Sequence, residues 1–469
     1  MALIKTADTG AELDWPSAKS AWLAVAILFI AYTFSFADRY ILSLLIQPIK
    51  QDLGLSDTKI SLLHGLAFAI FYTVMGIPIG RMADRYSRRT IIAAGIVCWS
   101  LMTAACGLAR QFGYLFAARV GVGVGEAALS PAAFSLISDL FPPNKLGRAL
   151  SIYSAGAIVG GGLAFIIGGM VVSAVMATPE ISLPVVGNLR SWQLAFFVVG
   201  LPGVLVAAMM YLIKEPVRRT SANRAELNKE AIPLSKVFGH FFGHWRVYVP
   251  TFIGFTMLAL IFNALLAWTP TFLLRSFQMP VGESGPAIGA LLVVFGGGGL
   301  FVGGWLTDKL WSLGYQDATL RVGMIAGVGA LPFAITAPLA SSSSLALILF
   351  APFWFFSASA FGAGVAAVQT ITPNRMRGVI SAMYLFCGNL IGIGLGPTAI
   401  ALLTDYAFVN EGAVGYSMAC IGAGGALLAA VILALGLKPF RTHVAQYFAT
   451  DKSSKSIEAK SDDVSPSLV

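Results

Sequence analysis

Four charged residues stand where almost every neighbour is apolar. Asp38 and Arg39 lie within the run 20–46, and Arg119 and Glu126 within the run 112–137. A charged side chain at membrane depth costs from about 2.5 kcal/mol upward, so it persists where it faces a polar interior and works there. Arg119 and Glu126 are seven residues apart, about two helical turns, which puts them on one helix face. Asp38 and Arg39 are adjacent, point about 100° apart and need separate counter-charges. Asp38 with Arg119 and Arg39 with Glu126 is the pairing that depth favours, with the reverse open. Glu126 sits among Gly123, Gly125, Ala127 and Ala128. Poor hydration there favours a neutral carboxyl and nearby arginines favour a carboxylate, so the group can take up and release a proton. Arg39 and Arg119 offer forks that hold a carboxylate or phosphate. A static network that only fixes helix packing is the plainer alternative, disfavoured because buried ion pairs are weak stabilisers.

Composition says what must position these groups. Hydrophobic residues make up 57% of the 469, charged residues 11%, and mean hydropathy is +0.79. Soluble domains carry roughly 25% charged residues, so this is an integral membrane protein. Twelve runs are long enough to cross a bilayer, each needing about 20 residues. They fall at 20–46, 59–80, 90–109, 112–137, 148–174, 192–213, 247–274, 285–306, 321–340, 345–370, 378–403 and 413–437. The expected organisation is a cytoplasmic segment 1–19, a six-helix bundle 20–213, a cytoplasmic linker 214–246, a second bundle 247–437, and a disordered cytoplasmic tail 438–469. The first run is too long for a signal-peptide core, so no cleavage is expected. This topology sorts 24 Lys and Arg to the cytoplasmic side and five outside (Lys50, Lys59, Arg110, Arg190 and Arg275), with Arg39 and Arg119 in the membrane. The positive-inside rule therefore accounts for the net charge of +9, and no nucleic-acid partner is implied.

Cys98, Cys106, Cys387 and Cys420 all fall in apolar runs without ligand spacing, which reads as packing, with no disulfide or metal expected. His240 and His244 share a helical spacing but lack a third ligand, and an interfacial loop explains them better. No phosphate-binding Gly-x-x-x-x-Gly-Lys-Ser/Thr fingerprint or activated nucleophile is present. Neither an enzyme nor an ATP-driven pump is supported, and no cofactor is called for.

The chain repeats itself. GRMADRYSRR (Gly80 to Arg89) follows the second run and GWLTDK (Gly304 to Lys309) the eighth, each with Gly four residues before Asp. PNKLGRALS (Pro143 to Ser151) follows the fourth run and PNRMRGVIS (Pro373 to Ser381) the tenth. The Asp pair is offset by 224 residues and the Pro-Asn pair by 230, so the last six spans repeat the first six in parallel orientation. Gly160 to Gly162, Gly168 to Gly169 and Gly296 to Gly299 allow close helix approach.

On these residues the chain resembles the major facilitator superfamily over 20–437, an all-α membrane fold of twelve helices in two parallel halves. GRMADRYSRR is similar to the superfamily signature between spans two and three, with Ser87 where Gly is usual. The run from ADRY through RVGVGVGEA (Arg119 to Ala127) and SDLFP (Ser138 to Pro142) is similar to Spinster-like transporters. The resemblance implies proton coupling at Glu126 and Asp38, and a location in a bacterial inner membrane with both termini cytoplasmic. It also implies a conformational latch built on Gly80, Asp84, Arg85 and Arg88. Asp84 would reach Arg375 or Arg377, and Asp308 would reach Lys145 or Arg148.

Arg39, Arg119 and Tyr40 are the expected substrate contacts of the first half. In the second half the expected lining is Asn263, Phe295, Gln369, Tyr384 and Asn389, with Trp354, Phe355 and Phe356 weighed against plain core packing. Charge on one wall and apolar side chains on the other suit an amphipathic anion; the lysolipid or sphingoid-like class is what the Spinster resemblance implies. Alternatives are a proton-coupled symporter of small organic anions and a receptor without flux. The expected partners are membrane lipids, the anionic solute and protons.

Overall fold

A computed structural model describes residues 15–177, 181–183, 187–216, 218, 233–373 and 376–462, nearly all of them helical. Twelve helices among them are long and apolar enough to cross a membrane. The first half holds Ala18–Leu53, Asp57–Ala83, Arg88–Cys106, Phe112–Leu140, Asn144–Met176 and Ser191–Leu212. The second holds Trp245–Phe277, Val281–Ser312, Ala318–Thr336, Ser343–Ile371, Arg377–Phe408 and Glu411–Gln446. These are the first to twelfth spans. Six spans per half put the linker and both ends of the described chain on one face, called here the linker face.

Local chemistry sets the ends. The Ser17 hydroxyl caps the first span by accepting from the Ser20 amide, and Gly54 closes it with φ 62°, a left-handed turn that glycine adopts without strain. At 36 residues this helix is about 54 Å long, well beyond a bilayer core of about 30 Å. It therefore carries Lys50 past the apolar layer. Between the fifth and sixth spans the chain forms an antiparallel hairpin of β1 (Ile181–Leu183) and β2 (Gly187–Leu189), with Ile181 opposite Leu189. The all-helical expectation did not include it. The helix that begins at Val414 continues to Asp462, so the segment from 438, expected to be disordered, is helical for most of its length. Its Ala, Lys, Glu and Gln residues favour helix without any need to cross a membrane.

Within each half neighbouring spans pack side by side, the first along the fifth and the seventh along the twelfth. The halves meet along two seams, the fifth span against the eighth and the second against the eleventh. Glycine permits this approach: a Cβ on Gly285 would lie 2.7 Å from the Phe165 carbonyl oxygen and 2.8 Å from the Gly169 Cα. Wide π-helical turns interrupt the second span at Leu62–Leu66 and the eleventh at Gly388–Leu395, beside the site described below.

On the linker face, Arg88 is buried and ties the third span to the Asp139 carboxylate of the fourth and, at 2.9 Å, to Glu215. Burial pushes the Glu215 carboxyl up, and hydrogen bonds from Arg88, the Arg89 amide and the Ser87 hydroxyl overcome this to hold it below the ordinary range. Arg88, expected among the latch residues, is held by Asp139 of the first half and by Glu215 at the start of the linker. A short helix, Leu234–Gly243, docks Val237 and Phe241 against the seventh span, with Phe241 stacked on Tyr248 at 5.1 Å. His240 stacks on His244 at 4.5 Å and bonds the Tyr248 hydroxyl at 3.2 Å. Burial, then His244 and His443, hold the His240 imidazole below its usual range.

Candidate substrate and proton site

The first span places Ser35, Asp38 and Arg39 on two faces, and the fourth span brings Glu126 to the face that Ser35 and Arg39 share. Oε2 of Glu126 accepts Nη2 of Arg39 at 2.6 Å and the Ser35 hydroxyl at 2.7 Å. Oε1 is buried and accepts nothing, which leaves one oxygen open to a proton without breaking either bond. Among the described residues this is the guanidinium's one hydrogen bond, and Nε makes none. The guanidinium carbon lies 4.4 Å from the Phe68 ring centroid, 4.8 Å from Phe36 and 5.5 Å from Tyr72.

The second expected pair takes another form. Arg119 is fully buried and donates to main-chain oxygens, Nη1 to Asp38 at 3.0 Å and Nη2 to Arg39 at 3.3 Å, with Nε toward Leu63 at 3.5 Å. No ion pair with the Asp38 carboxylate forms; the polar side chains facing that carboxylate are Thr103 and Trp99 of the third span. A guanidinium's five donors are satisfied by carbonyls as well as by carboxylates, and here the first span offers the carbonyls. Beside this pair lies a residue that sequence reasoning missed. His64 is buried, its Nε2 is 2.6 Å from the Ser43 hydroxyl, and its Nδ1 has no partner. A lone histidine in an apolar run was the available signal.

A cavity of about 440 Å³ opens beside Arg39 between the halves. From the first half it is lined by Arg39, Tyr40, Tyr32, Tyr72 and Phe36, and from the second by Asn263, Tyr384, Asn389, Phe262, Phe361 and Leu300. Five expected contacts, Arg39, Tyr40, Asn263, Tyr384 and Asn389, thus meet in one place. Others do not. Arg119 is buried behind the first span, Gln369 and Phe295 are exposed outside the lining, and Trp354 is fully buried core. Tyr32 and Tyr72 were not foreseen, although their spacing of seven before Arg39 and four after Phe68 put them on the same helix faces. The lining also reaches Ser154, Leu300 and Val365, positions toward the linker face. A larger cavity of about 550 Å³, near Gln47, Gln51 and Gln278, lies on the opposite face and touches none of the four membrane charges.

That opposite face is closed by an ion cluster between the halves. Arg275 of the seventh span forks onto Asp57 at 2.6 and 2.8 Å, and Lys50 bridges Asp57 at 2.5 Å to Glu411 at 3.0 Å. Asp405 accepts from the amide and hydroxyl of Thr58, both at 2.7 Å, at the amino-terminal end of the second span. The expected latch residues on the linker face are apart. Asp308, Lys145 and Arg85 are exposed, Arg148 lies over the Trp22 ring at 5.8 Å, and Arg377 bonds the Thr372 carbonyl at 3.1 Å. Gly80 contacts only Pro131 at 3.9 Å through an added Cβ. Arg375 and the Asp84 side chain lie outside the described residues.

This architecture matches known proteins. The description Major Facilitator Superfamily matches residues 28–397. An MFS-type efflux pump of Mycolicibacterium smegmatis is 28% identical over 398 residues, covering 82% of this chain and 85% of the relative. A probable L-galactonate transporter of Escherichia coli is 26% identical over 398 residues, covering 81% and 83%. The crystal structure of a bacterial homolog to the human lysosomal transporter Spinster, inward-facing and unoccupied, superposes with a TM-score of 0.73 at 26% identity, covering 92% of this chain and 99% of that one. The chain belongs to the Major Facilitator Superfamily of transporters, with twelve helices among the described residues long and apolar enough to cross a membrane.

Proposed function

We propose that this transporter moves an amphipathic, lipid-like anion of the lysolipid or sphingoid-like kind, coupled to protons through Glu126 and with Asp38 as the second carboxylate. One observation carries the reading: Arg39, held from behind by the buried Glu126, is the charged residue in the wall of a cavity whose remaining walls are largely aromatic and aliphatic. Protonating Glu126 removes the counter-charge of Arg39 and frees the guanidinium for an anionic headgroup. Releasing the proton restores the pair and expels the headgroup. The acyl or sphingoid chain lies against Phe36, Phe262, Phe361 and Leu300, while Asn263, Asn389 and Tyr384 bond polar groups.

Alternating access follows the two faces. The ion cluster closes one, the cavity reaches toward the other, and the preference of Lys and Arg for the linker face supports placing that face in the cytoplasm. The protein then stands open to the cytoplasm, in a bacterial inner membrane. A second reading, symport of small organic anions, is favoured by the L-galactonate relative and by the amide and phenol groups in the cavity. Proteoliposomes with an imposed pH gradient test both. Uptake or release of a labelled long-chain lysophospholipid, competed by other long-chain anions and not by L-galactonate, is expected; competition by L-galactonate alone favours the second reading. Ligand binding without flux would leave a receptor.

A further inference from the structure

We infer that Phe68, with Phe36 and Tyr72, forms an aromatic cage that holds the Arg39 guanidinium during the interval when Glu126 is neutral and no substrate is bound. This rests on the proton-coupling reading above. The difficulty it solves is physical. A guanidinium at membrane depth without a counter-charge is costly, yet the coupling cycle requires that state each time Glu126 takes its proton before an anion arrives. The three rings lie 4.4, 4.8 and 5.5 Å from the guanidinium carbon, inside the roughly 6 Å over which a ring face attracts a cation. While Glu126 is charged, its carboxylate beside the guanidinium is repelled by the same ring faces and offsets part of that attraction; once Glu126 is neutral the attraction acts in full, and it is strongest where water is excluded, as it is around the fully buried Phe68.

Phe68 is a positioning residue. It is absent from the cavity lining, so it acts on the anion only through Arg39. Its backbone also touches the fourth span, where a Cβ on Gly123 would lie 2.7 Å from the Phe68 carbonyl oxygen, which fixes the ring beside the pair. The charged and titratable groups around Arg39 are Glu126 and Arg119 from the fourth span, Tyr32, Asp38 and Tyr40 from the first, and Tyr72 and His64 from the second. None changes when Phe68 is replaced by an aliphatic side chain, so a shift in pH dependence reports the ring.

The test is the pH profile of transport in proteoliposomes for wild type, Phe68→Leu and Phe68→Tyr. Without the ring, the state with neutral Glu126 rises in free energy relative to the paired state, and proton uptake becomes harder. The midpoint for Phe68→Leu is expected to move toward acid by about one pH unit, with Phe68→Tyr near wild type. A Phe68→Leu profile with lower rate but an unmoved midpoint overturns the cage. If Phe68→Leu does not assemble, Tyr72→Leu against Tyr72→Phe reads the same effect: an acid shift only where the ring is lost supports the cage, and coincident midpoints overturn it. Failure of the underlying reading is separate, since Glu126→Gln would then keep the wild-type pH response.

Discussion

Arg39 and Glu126, 87 residues apart in sequence, meet at 2.6 Å where neither is reached freely by water. Such a pair adds little net stability, but removing one member strands the other, at a cost of about 3–5 kcal/mol in a fully buried setting. A headgroup that replaces Glu126 relieves that cost, which ties anion binding to the proton on one carboxylate.

Glu126→Gln keeps the size and the hydrogen-bonding capacity of the side chain and removes its titration. Measurable ligand binding should survive, while acceleration by a pH gradient should disappear in proteoliposome flux. Full pH-driven transport in this variant would move the proton site to Asp38, which is fully buried and has no ion-pair partner among the described residues.

Arg39→Lys retains the charge and loses the fork and the planar stack. Affinity for an anionic ligand is expected to fall tenfold or more, since a charge-assisted bond contributes about 1.5–3 kcal/mol. Ligand-induced thermal shifts of the two proteins measure it, and equal shifts would remove Arg39 from the binding site.

The Arg39–Glu126 pair was legible in the sequence because helical spacing and the need for a counter-charge left few partners at that depth. The partner of Arg119 was not, since main-chain carbonyls of Asp38 and Arg39 satisfy it and no sequence pattern displays a carbonyl's direction. Twelve spans and the internal repeat could be read directly from hydropathy and from GRMADRYSRR, GWLTDK and the two Pro-Asn motifs. The cluster of Lys50, Asp57, Arg275 and Glu411 stayed hidden, because each residue by itself reads as an ordinary charge at a span end. Tertiary packing alone brings them together.

That cluster should hold only in the state described here. A Thr58→Cys and Asp405→Cys pair in a background without native cysteines replaces the 2.7 Å hydrogen bonds by a bond that cannot open. Oxidation is expected to stop transport and reduction to restore it. Undiminished flux after complete cross-linking would mean that this face need not separate.

On the linker face, Asp308 stands exposed, and Arg148 and Arg377 are engaged elsewhere. The latch expected between Asp308 and Lys145 or Arg148 is not formed here, and the prediction is that it forms in the alternate state. Asp308→Asn should weaken that state and raise labelling of single cysteines placed in the cavity from the linker side. Unchanged labelling would argue against any latch.

Glu215 supplies a pH test independent of transport. Its carboxyl is held below the ordinary range by Arg88, Arg89 and Ser87, so the unfolded chain binds the proton more readily than the folded one. The stabilisation is therefore present above the ordinary carboxylate range and is lost as pH falls below that range through the lowered pKa of the folded state. Glu215→Gln should lower stability at pH 7 by about 1 kcal/mol, a modest figure because the side chain is 26% exposed. Its melting temperature should start to converge on that of the wild type only as the pH falls below about 4. Arg88→Ala should cost more, about 3 kcal/mol or above, because it takes the guanidinium from the buried Asp139 as well as from Glu215. Thermal unfolding in detergent from pH 8 down to about pH 3 compares the three proteins. A Glu215→Gln deficit that stays constant over that range would mean the carboxylate contributes through shape alone, and the charge of the Arg88 cluster would then rest on Asp139.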